Sequence, residues 1–242
     1  MKVNWRDLLR EVVILKLPPD FKLEPAKTAL LLVDIQNTNC NPHLPDRGSS
    51  RTIIRTLDNQ YPDLGQAYRQ YLAETFIPNN VKLLTFFRQK RLNRIFLTIG
   101  PELPDGRDLT APHRAKTSMC EDGTLHLKGS YELQIIDELK PQEGELIINK
   151  KSQGAFNSTG IDHLLRNMGI EYLVITGAGT HACVELTARD AVDRGYRCIL
   201  VEDACATAYM FLHNFTLYNF AAVLGKVAST EEVISELSGA LH

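Results

Sequence analysis

The sequence predicts a three-layer α/β/α domain in which a mostly parallel, doubly wound sheet lies between two layers of helices. Two observations support this fold class. Short runs that are apolar at every position recur along the chain, and segments with helical spacing of apolar residues separate them. Strand–helix–strand repetition of this kind implies right-handed crossover connections, which build a Rossmann-like topology.

Five apolar runs predict the strands. Strands buried on both faces of a sheet are apolar throughout, whereas half-exposed strands alternate. The predicted strands are residues 28–33, 94–99, 145–149, 171–176 and 197–201. The predicted helices cover about 66–91, 131–139, 159–168 and 182–194, with another after 207.

Three segments fall outside this alternation. Residues 1–26 predict an amphipathic extension that precedes a single domain over 27–242. Residues 38–65 and 100–129 are rich in turn-forming residues and predict long loops, the first of them an insertion. Long loops in a compact domain are typical of substrate lids or of arms that contact another subunit.

Composition excludes several classes of function. The 242 residues carry a net charge of −2, which provides no basic surface for nucleic acid or for an anionic membrane. The longest apolar run near the N-terminus, residues 12–15, is too short for a secretory or membrane-spanning segment. The five cysteines include no C-x-x-C pair, which favours a reducing compartment. We therefore expect a soluble, cytoplasmic protein.

Residues whose side chains can take part in catalysis follow three of the predicted strands. Asp34 follows the first strand, Lys150 the third, and Cys183 lies a few residues after the fourth, where a helix begins. Ligands of open α/β sheets bind at the carboxyl ends of the strands, so these side chains are expected along one edge. Each has an ordinary structural alternative, namely a capping aspartate, a solvated lysine and a buried cysteine. Their coincidence at one edge favours a catalytic site.

These three residue types suit nucleophilic catalysis. A cysteine at a helix N-terminus is expected to have a lowered pKa, because exposed backbone N–H groups stabilise a thiolate. The ammonium of Lys150 would act in the same direction. The carboxylate of Asp34 could accept the thiol proton and pass it to a leaving amine.

A dinucleotide-binding site is the competing interpretation. Gly177, Gly179 and Ala182 fit the G-x-G-x-x-[GA] pattern between a strand and a helix, and Glu202-Asp203 could provide the ribose-binding acid. This unit begins late in the chain, however, and the interpretation leaves Asp34 and Lys150 without a role.

The chain resembles the isochorismatase-like cysteine hydrolase superfamily, which includes nicotinamidases, N-carbamoylsarcosine amidohydrolase and biuret hydrolase. The resemblance covers about residues 27–237 and is carried by four segments in the expected order. These are residues 31–37, with D-x-Q; 146–159, with K-x-x-x-x-[AS]-F; 175–191, with G-x-x-T-x-x-C-V; and 194–204.

The resemblance implies a catalytic triad of Asp34, Lys150 and Cys183, with Lys151 as an ordinary neighbour. It also implies a cis peptide between Ala178 and Gly179, and an oxyanion hole made by the backbone amides of Gly179 and Cys183.

We further expect three side chains to bind substrate: Gln36, Phe156 and His181. No metal is expected, since residues 100–108 lack the histidine of the nicotinamidase Asp-x-His segment, and no cofactor is expected, since each catalytic step uses groups already in place. Family members usually form a homodimer or a homotetramer, and the same is expected here.

The predicted activity is hydrolysis of a C–N bond in a small amide, ureide or carbamoyl compound through a thioester. Two alternatives remain open: an isochorismatase-type enol-ether hydrolase, and a non-catalytic, ligand-binding member of the same fold.

Overall fold

A six-stranded parallel sheet forms the middle layer of the protein in the described residues. The computed structural model describes residues 20–44, 52–116 and 125–241. The sheet order is β3-β2-β1-β4-β5-β6, with every neighbouring pair parallel. The strands are β1 (Thr28–Val33), β2 (Asn93–Ile99), β3 (Leu146–Lys150), β4 (Tyr172–Ala178), β5 (Arg197–Ala206) and β6 (Lys226–Ala228).

Helices cover both faces of this sheet. They are α1 (Asn37–Cys40), α2 (Ile53–Gln60), α3 (Pro62–Tyr71), α4 (Ile77–Gln89), α5 (Ala111–Lys116), α6 (Ile161–Asn167), α7 (Glu185–Asp193), α8 (Met210–Val223) and α9 (Thr230–Gly239). Two π-helical turns, Leu72–Phe76 and Thr180–Val184, lead into α4 and α7. None of the helices in the described ranges is long and apolar enough to cross a membrane.

The predicted fold class is confirmed, and so are the five predicted strands. The topology is the strand order 3-2-1-4-5-6 of classic doubly wound folds. Strand β6 was not predicted, because its three residues form a short, half-buried edge strand with no long apolar run. Strand β5 continues past the predicted end at residue 201 to Ala206.

The prediction of a helix over 131–139 is wrong. This segment contains two short 3-10 turns, Tyr131–Leu133 and Asp137–Leu139. Between them Ile135 forms an isolated antiparallel bridge with Gln36, which keeps the backbone extended. The apolar spacing of the segment therefore reflects packing against the end of β1 rather than a continuous helix.

The predicted loop over 38–65 is largely helical where it is described. Helices α1 and α2 lie within it, and α3 begins at Pro62 rather than near residue 66. The hydroxyl of Thr52 accepts the Arg55 amide and so begins α2. Residues 45–51, 117–124 and most of the predicted extension, 1–19, lie outside the described residues.

The core consists of two apolar clusters, one on each face of the sheet. Alternate residues of β1 point in opposite directions, so Leu30 and Leu32 face one cluster while Leu31 and Val33 face the other. Helices α2, α3, α4 and α9 cover the first cluster, and α6, α7 and α8 cover the second. Burial on both faces explains why β1 is apolar throughout.

A close backbone approach joins the two central strands. Gly177 in β4 pairs with Val33 in β1 and has a φ of +130°. A Cβ atom built at this position would lie 2.0 Å from the Val33 carbonyl oxygen, which no side chain can tolerate. Glycine therefore allows the ends of β1 and β4 to meet, and this brings the residues that follow them together.

Candidate active site

Asp34 lies at the carboxyl end of β1 in an unusual backbone conformation. Its φ is +51°, a left-handed value that costs free energy in a residue with a side chain. Its backbone N–H donates to the Leu97 carbonyl at 2.8 Å, which continues the ladder between β1 and β2. Its side chain is buried. Such local strain is typical of functional positions.

Lys150 is the last residue of β3, two strands away from β1. Its side chain is 0% exposed and reaches across the edge of the sheet, so that Nζ lies 2.7 Å from Oδ2 of Asp34. The ammonium also donates to the Ser152 carbonyl oxygen at 3.2 Å. A buried lysine needs such partners, because an unpaired charge inside a protein is costly.

Cys183 lies in the π-helical turn between β4 and α7. Its side chain lies close enough to Asp34 and Lys150 for both of them to shift its pKa, and the residue is only 8% exposed. The backbone carbonyl of Cys183 accepts the Thr187 hydroxyl at 2.6 Å, and that hydroxyl in turn accepts the Ala155 amide. The structure thus brings together all three residues of the predicted triad.

The pKa of Cys183 differs in direction from the expected value. Burial raises it, the Asp34 carboxylate raises it further, and Lys150 only partly opposes them, so the pKa reaches about 12. The expectation of a lowered pKa was wrong because it considered the helix N-terminus and the ammonium but not burial or the adjacent carboxylate. Cys183 is therefore a thiol at rest.

The charged pair beside the thiol has complementary properties. Burial raises the pKa of Asp34, although the Lys150 ammonium and the Cys183 thiol partly counter this effect. Burial lowers the pKa of Lys150, but Asp34 and Cys183 together outweigh burial and the net shift is upward. Asp34 is therefore a better base than an ordinary carboxylate, while Lys150 keeps its charge.

The predicted cis peptide between Ala178 and Gly179 is wrong, since no peptide bond among the described residues is cis. A trans bond is the low-energy form. The positive φ of Gly177 and the π turn after it already change the direction of the chain here. The Gly179 carbonyl accepts the amides of Ala182 and Val184, the two neighbours of Cys183. The oxyanion role of the Gly179 and Cys183 amides stays a prediction.

Gln36 has a structural task at the edge of the site. Its amide nitrogen donates to the carbonyls of Ile99 and Leu133, at 3.0 and 2.6 Å, and its oxygen accepts the Ile99 amide at 3.0 Å. These bonds tie the segment after Asp34 to the end of β2 and to the 3-10 turn at Tyr131–Leu133. Contact of Gln36 with substrate stays a prediction.

The other two predicted substrate-binding residues occupy different surroundings. Phe156 is buried against Tyr196, with ring centroids 5.8 Å apart, and beneath the guanidinium of Arg194. Arg194 and Tyr196 lie between the end of α7 and the start of β5, whereas Cys183 lies before the start of α7. His181 is exposed in the π turn two residues before Cys183. Their contact with substrate also stays a prediction.

Lys151 has a role that the sequence did not reveal. Its ammonium donates to the Gly100 carbonyl at 2.9 Å and lies 2.9 Å from an Asp108 oxygen. It therefore fastens the loop after β2 beside the site. Alternation along a strand would have provided the signal, because consecutive residues point in opposite directions.

Asp203, one of the two acids of the competing dinucleotide interpretation, has a structural task instead. Oδ1 of Asp203 accepts both the amide and the hydroxyl of Thr230, at 2.9 and 2.8 Å, and so holds the start of α9. Within residues 20–44, 52–116 and 125–241, no three His, Cys, Asp or Glu side chains form a group that could hold a metal ion.

Comparison with known proteins identifies the fold and the family. The chain superposes on a cysteine hydrolase from Pseudomonas syringae pv. phaseolicola 1448A with a TM-score of 0.71 and 23% identity, covering 93% of this chain and 99% of that one. An N-carbamoylsarcosine amidase from Thermoplasma acidophilum has a TM-score of 0.60 and 25% identity, with 85% and 97% covered. Residues 28–232 match the family described as Isochorismatase domain. With this match over most of its length, the chain belongs to the isochorismatase family of hydrolases.

Proposed function

We propose that the protein is a cysteine hydrolase that cleaves a C–N bond of a small amide, ureide or carbamoyl compound. The observation that carries this proposal is the buried contact among Cys183, Asp34 and Lys150. A thiol, a base of raised pKa and a fixed cation in one buried place are the groups that acyl transfer needs.

The first step is attack of the thiol on the substrate carbon. Because the resting thiol has a pKa of about 12, a free thiolate is scarce, and proton transfer must accompany the attack. Asp34 accepts the Cys183 proton while Sγ forms a bond to the planar carbon and the C=O π electrons move to oxygen. Lys150 stabilises the negative charge of the pair throughout this transfer.

Collapse of the tetrahedral intermediate releases the nitrogen. The backbone amides of Gly179 and Cys183 provide the oxyanion hole in this proposal, a type of contact worth roughly 3 kcal/mol per donor in the transition state. Asp34 returns its proton to the departing nitrogen, which leaves as ammonia or an amine. Water that Asp34 deprotonates then hydrolyses the thioester and regenerates the Cys183 thiol.

Two observations favour a C–N bond as the target. Cleavage through a covalent thioester requires a nucleophile, and Cys183 lies in contact with a base and a cation. An N-carbamoylsarcosine amidase is also among the proteins with the same fold. Hydrolysis of an enol ether needs an acid and water but no thiol, so the cysteine would then have no task.

Release of ammonia from a panel of small amides, ureides and carbamoyl compounds tests the proposal. Activity that the wild type shows and that both Cys183→Ala and Cys183→Ser lose is the expected result. Electrospray mass spectrometry of rapidly quenched enzyme should show the acyl adduct on the peptide that contains Cys183. Substitution of another buried cysteine, Cys198→Ala, is the matched control and should keep activity.

The family match supports enol-ether hydrolysis as a second candidate function, because the family takes its name from isochorismatase. Asp34 could protonate a vinyl ether, and pyruvate release from isochorismate measures that reaction. Pyruvate release that persists in Cys183→Ala, without ammonia release from any amide, would replace the C–N proposal with the enol-ether one. Absence of both activities would favour a ligand-binding protein.

A further inference from the structure

A buried histidine on α8 contacts the turn that carries the nucleophile. His213 is 4% exposed, and its Nδ1 lies 2.9 Å from Oγ1 of Thr180. Thr180 is fully buried and is the first residue of the π turn Thr180–Val184. The turn that presents Cys183 is thus held at its start by a side chain from a different helix.

This histidine is itself fixed from behind. The Tyr71 ring meets the His213 ring edge-on, with centroids 6.3 Å apart. The Tyr71 hydroxyl donates to the Cys205 carbonyl at 3.0 Å, and Cys205 pairs with Gly177 in the sheet. Tyr71, His213 and Thr180 therefore form a continuous row beside the end of β4, where the π turn begins.

The contact is also electrically neutral. Burial lowers the pKa of His213 to about 4, so the imidazole carries no charge near neutral pH. A neutral ring can bond to the Thr180 hydroxyl without burying an unpaired charge, which would be costly.

We propose that His213 is a positioning residue, which through the Thr180 hydroxyl holds the π turn so that the Cys183 thiol stays against the Asp34 carboxylate. The proposal rests on the nucleophilic role of Cys183 in the proposed function. Small displacements matter here, because a misplacement of about 1 Å can cost about 100-fold in rate.

The test measures alkylation of Cys183 by iodoacetamide as a function of pH, with peptide mass spectrometry to resolve the individual cysteines. In the wild type Asp34 assists the thiol, so the rate should be nearly constant between pH 6 and 8. A displaced thiol reacts only as thiolate, so its rate should rise about tenfold per pH unit over that range. Glutathione, whose thiol has no assisting carboxylate, provides the reference for unassisted reaction.

The variants separate this role from general packing. His213→Leu and Thr180→Val should both show the steep pH dependence of an unassisted thiol, and their combination should be no worse than either one, since both break the same contact. His213→Asn keeps a polar group near the Nδ1 position and Thr180→Ser keeps the hydroxyl, so both should recover the flat profile.

Thr216→Val is the matched control on the same helix. It removes another buried bond of α8, from the Thr216 hydroxyl to Oε2 of Glu185, at 2.9 Å, and should keep the flat profile. A flat profile in Thr180→Val, or a steep one in Thr216→Val, would overturn the proposal. If His213→Leu does not fold, comparison of Thr180→Val with Thr180→Ser tests the proposal by itself. Alkylation needs no substrate, so failure of C–N hydrolysis would remain distinguishable from failure of this inference.

Discussion

At the scale of single residues, the site depends on a thiol that is protonated at rest beside a base that is stronger than usual. The same burial that raises the pKa of Cys183 to about 12 also raises that of Asp34. Lys150 offsets the cost of burying the Asp34 carboxylate, because its Nζ lies 2.7 Å from Oδ2 of Asp34. In the proposed mechanism, catalysis therefore depends on proton transfer within the site rather than on a stored thiolate.

The pH dependence of kcat/KM follows from these directions. In the proposed mechanism Asp34 acts as a base and must be ionised, so activity should rise with pH through a pKa above the ordinary aspartate value of 3.8. The thiol titrates near 12, and the pKa of Lys150 is raised above 10.5, so activity should then stay level to about pH 10.

The profile is measured with a substrate that does not ionise between pH 4 and 10. An exposed carboxylate provides the control, since Asp63→Asn should leave the curve unchanged. A further rise or fall centred between pH 7 and 9 would show that Cys183 titrates as an ordinary or an activated thiol and would contradict the prediction.

At the scale of elements, the site exists because three parallel strands end at one edge. The order β3-β2-β1-β4 puts Lys150, Asp34 and the turn after β4 within reach of one another, although Asp34 and Cys183 lie far apart in sequence. The contact between β1 and β4 at Gly177 sets how closely they approach.

Gly177→Ala should be strongly destabilising. The added methyl would lie 2.0 Å from the Val33 carbonyl oxygen, and the φ of +130° is itself unfavourable for alanine. We expect the free energy of unfolding, measured by urea denaturation, to fall by at least about 3 kcal/mol, or the protein not to fold.

Gly144→Ala is the matched control, since Gly144 has a φ of +82° but open space around its Cβ position. It should lose only about 1–2 kcal/mol, the cost of the backbone conformation alone. Equal losses in the two variants would show that the contact with Val33 is unimportant.

The sequence predicted the strands that carry the site better than the segments around it. Continuous apolar runs made β1 and β4 recognisable, and motif spacing selected Lys150 over Lys151. The turn over 131–139 was predicted as a helix because its spacing is helical, whereas its bridge to Gln36 is a contact between distant residues. The His213–Thr180 contact, across 33 residues, was missed for the same reason.

At the scale of the whole molecule, α8 has an outer surface that suits another protein copy. None of its fourteen residues is charged. Phe211 and Phe215 are 77% and 58% exposed and stack on each other, with centroids 6.3 Å apart. Exposed aromatic residues that lie next to each other on a surface are typical of a site that contacts another protein. The two rings expose roughly 250–300 Å², about a third of what each partner buries in a standard dimer.

The expected homodimer or homotetramer should therefore form through this face. An uncharged surface can meet its own copy without like-charge repulsion, as a two-fold interface requires. Phe211→Lys combined with Phe215→Lys should shift the protein to monomer in sedimentation velocity. Ile147→Lys, at an apolar residue of β3 that is 54% exposed, should leave the assembly intact. Dissociation caused by Ile147→Lys instead would place the interface at the outermost strand, β3.

The protonated state of Cys183 also affects how readily oxidants attack its thiol. Peroxide oxidises thiolates, and oxidation to sulfenic acid follows thiolate character and exposure. A cysteine with a pKa of about 12 and only 8% exposure offers little of either. Peroxide should therefore react with Cys183 more slowly than with an exposed thiolate, and only where Asp34 accepts the thiol proton.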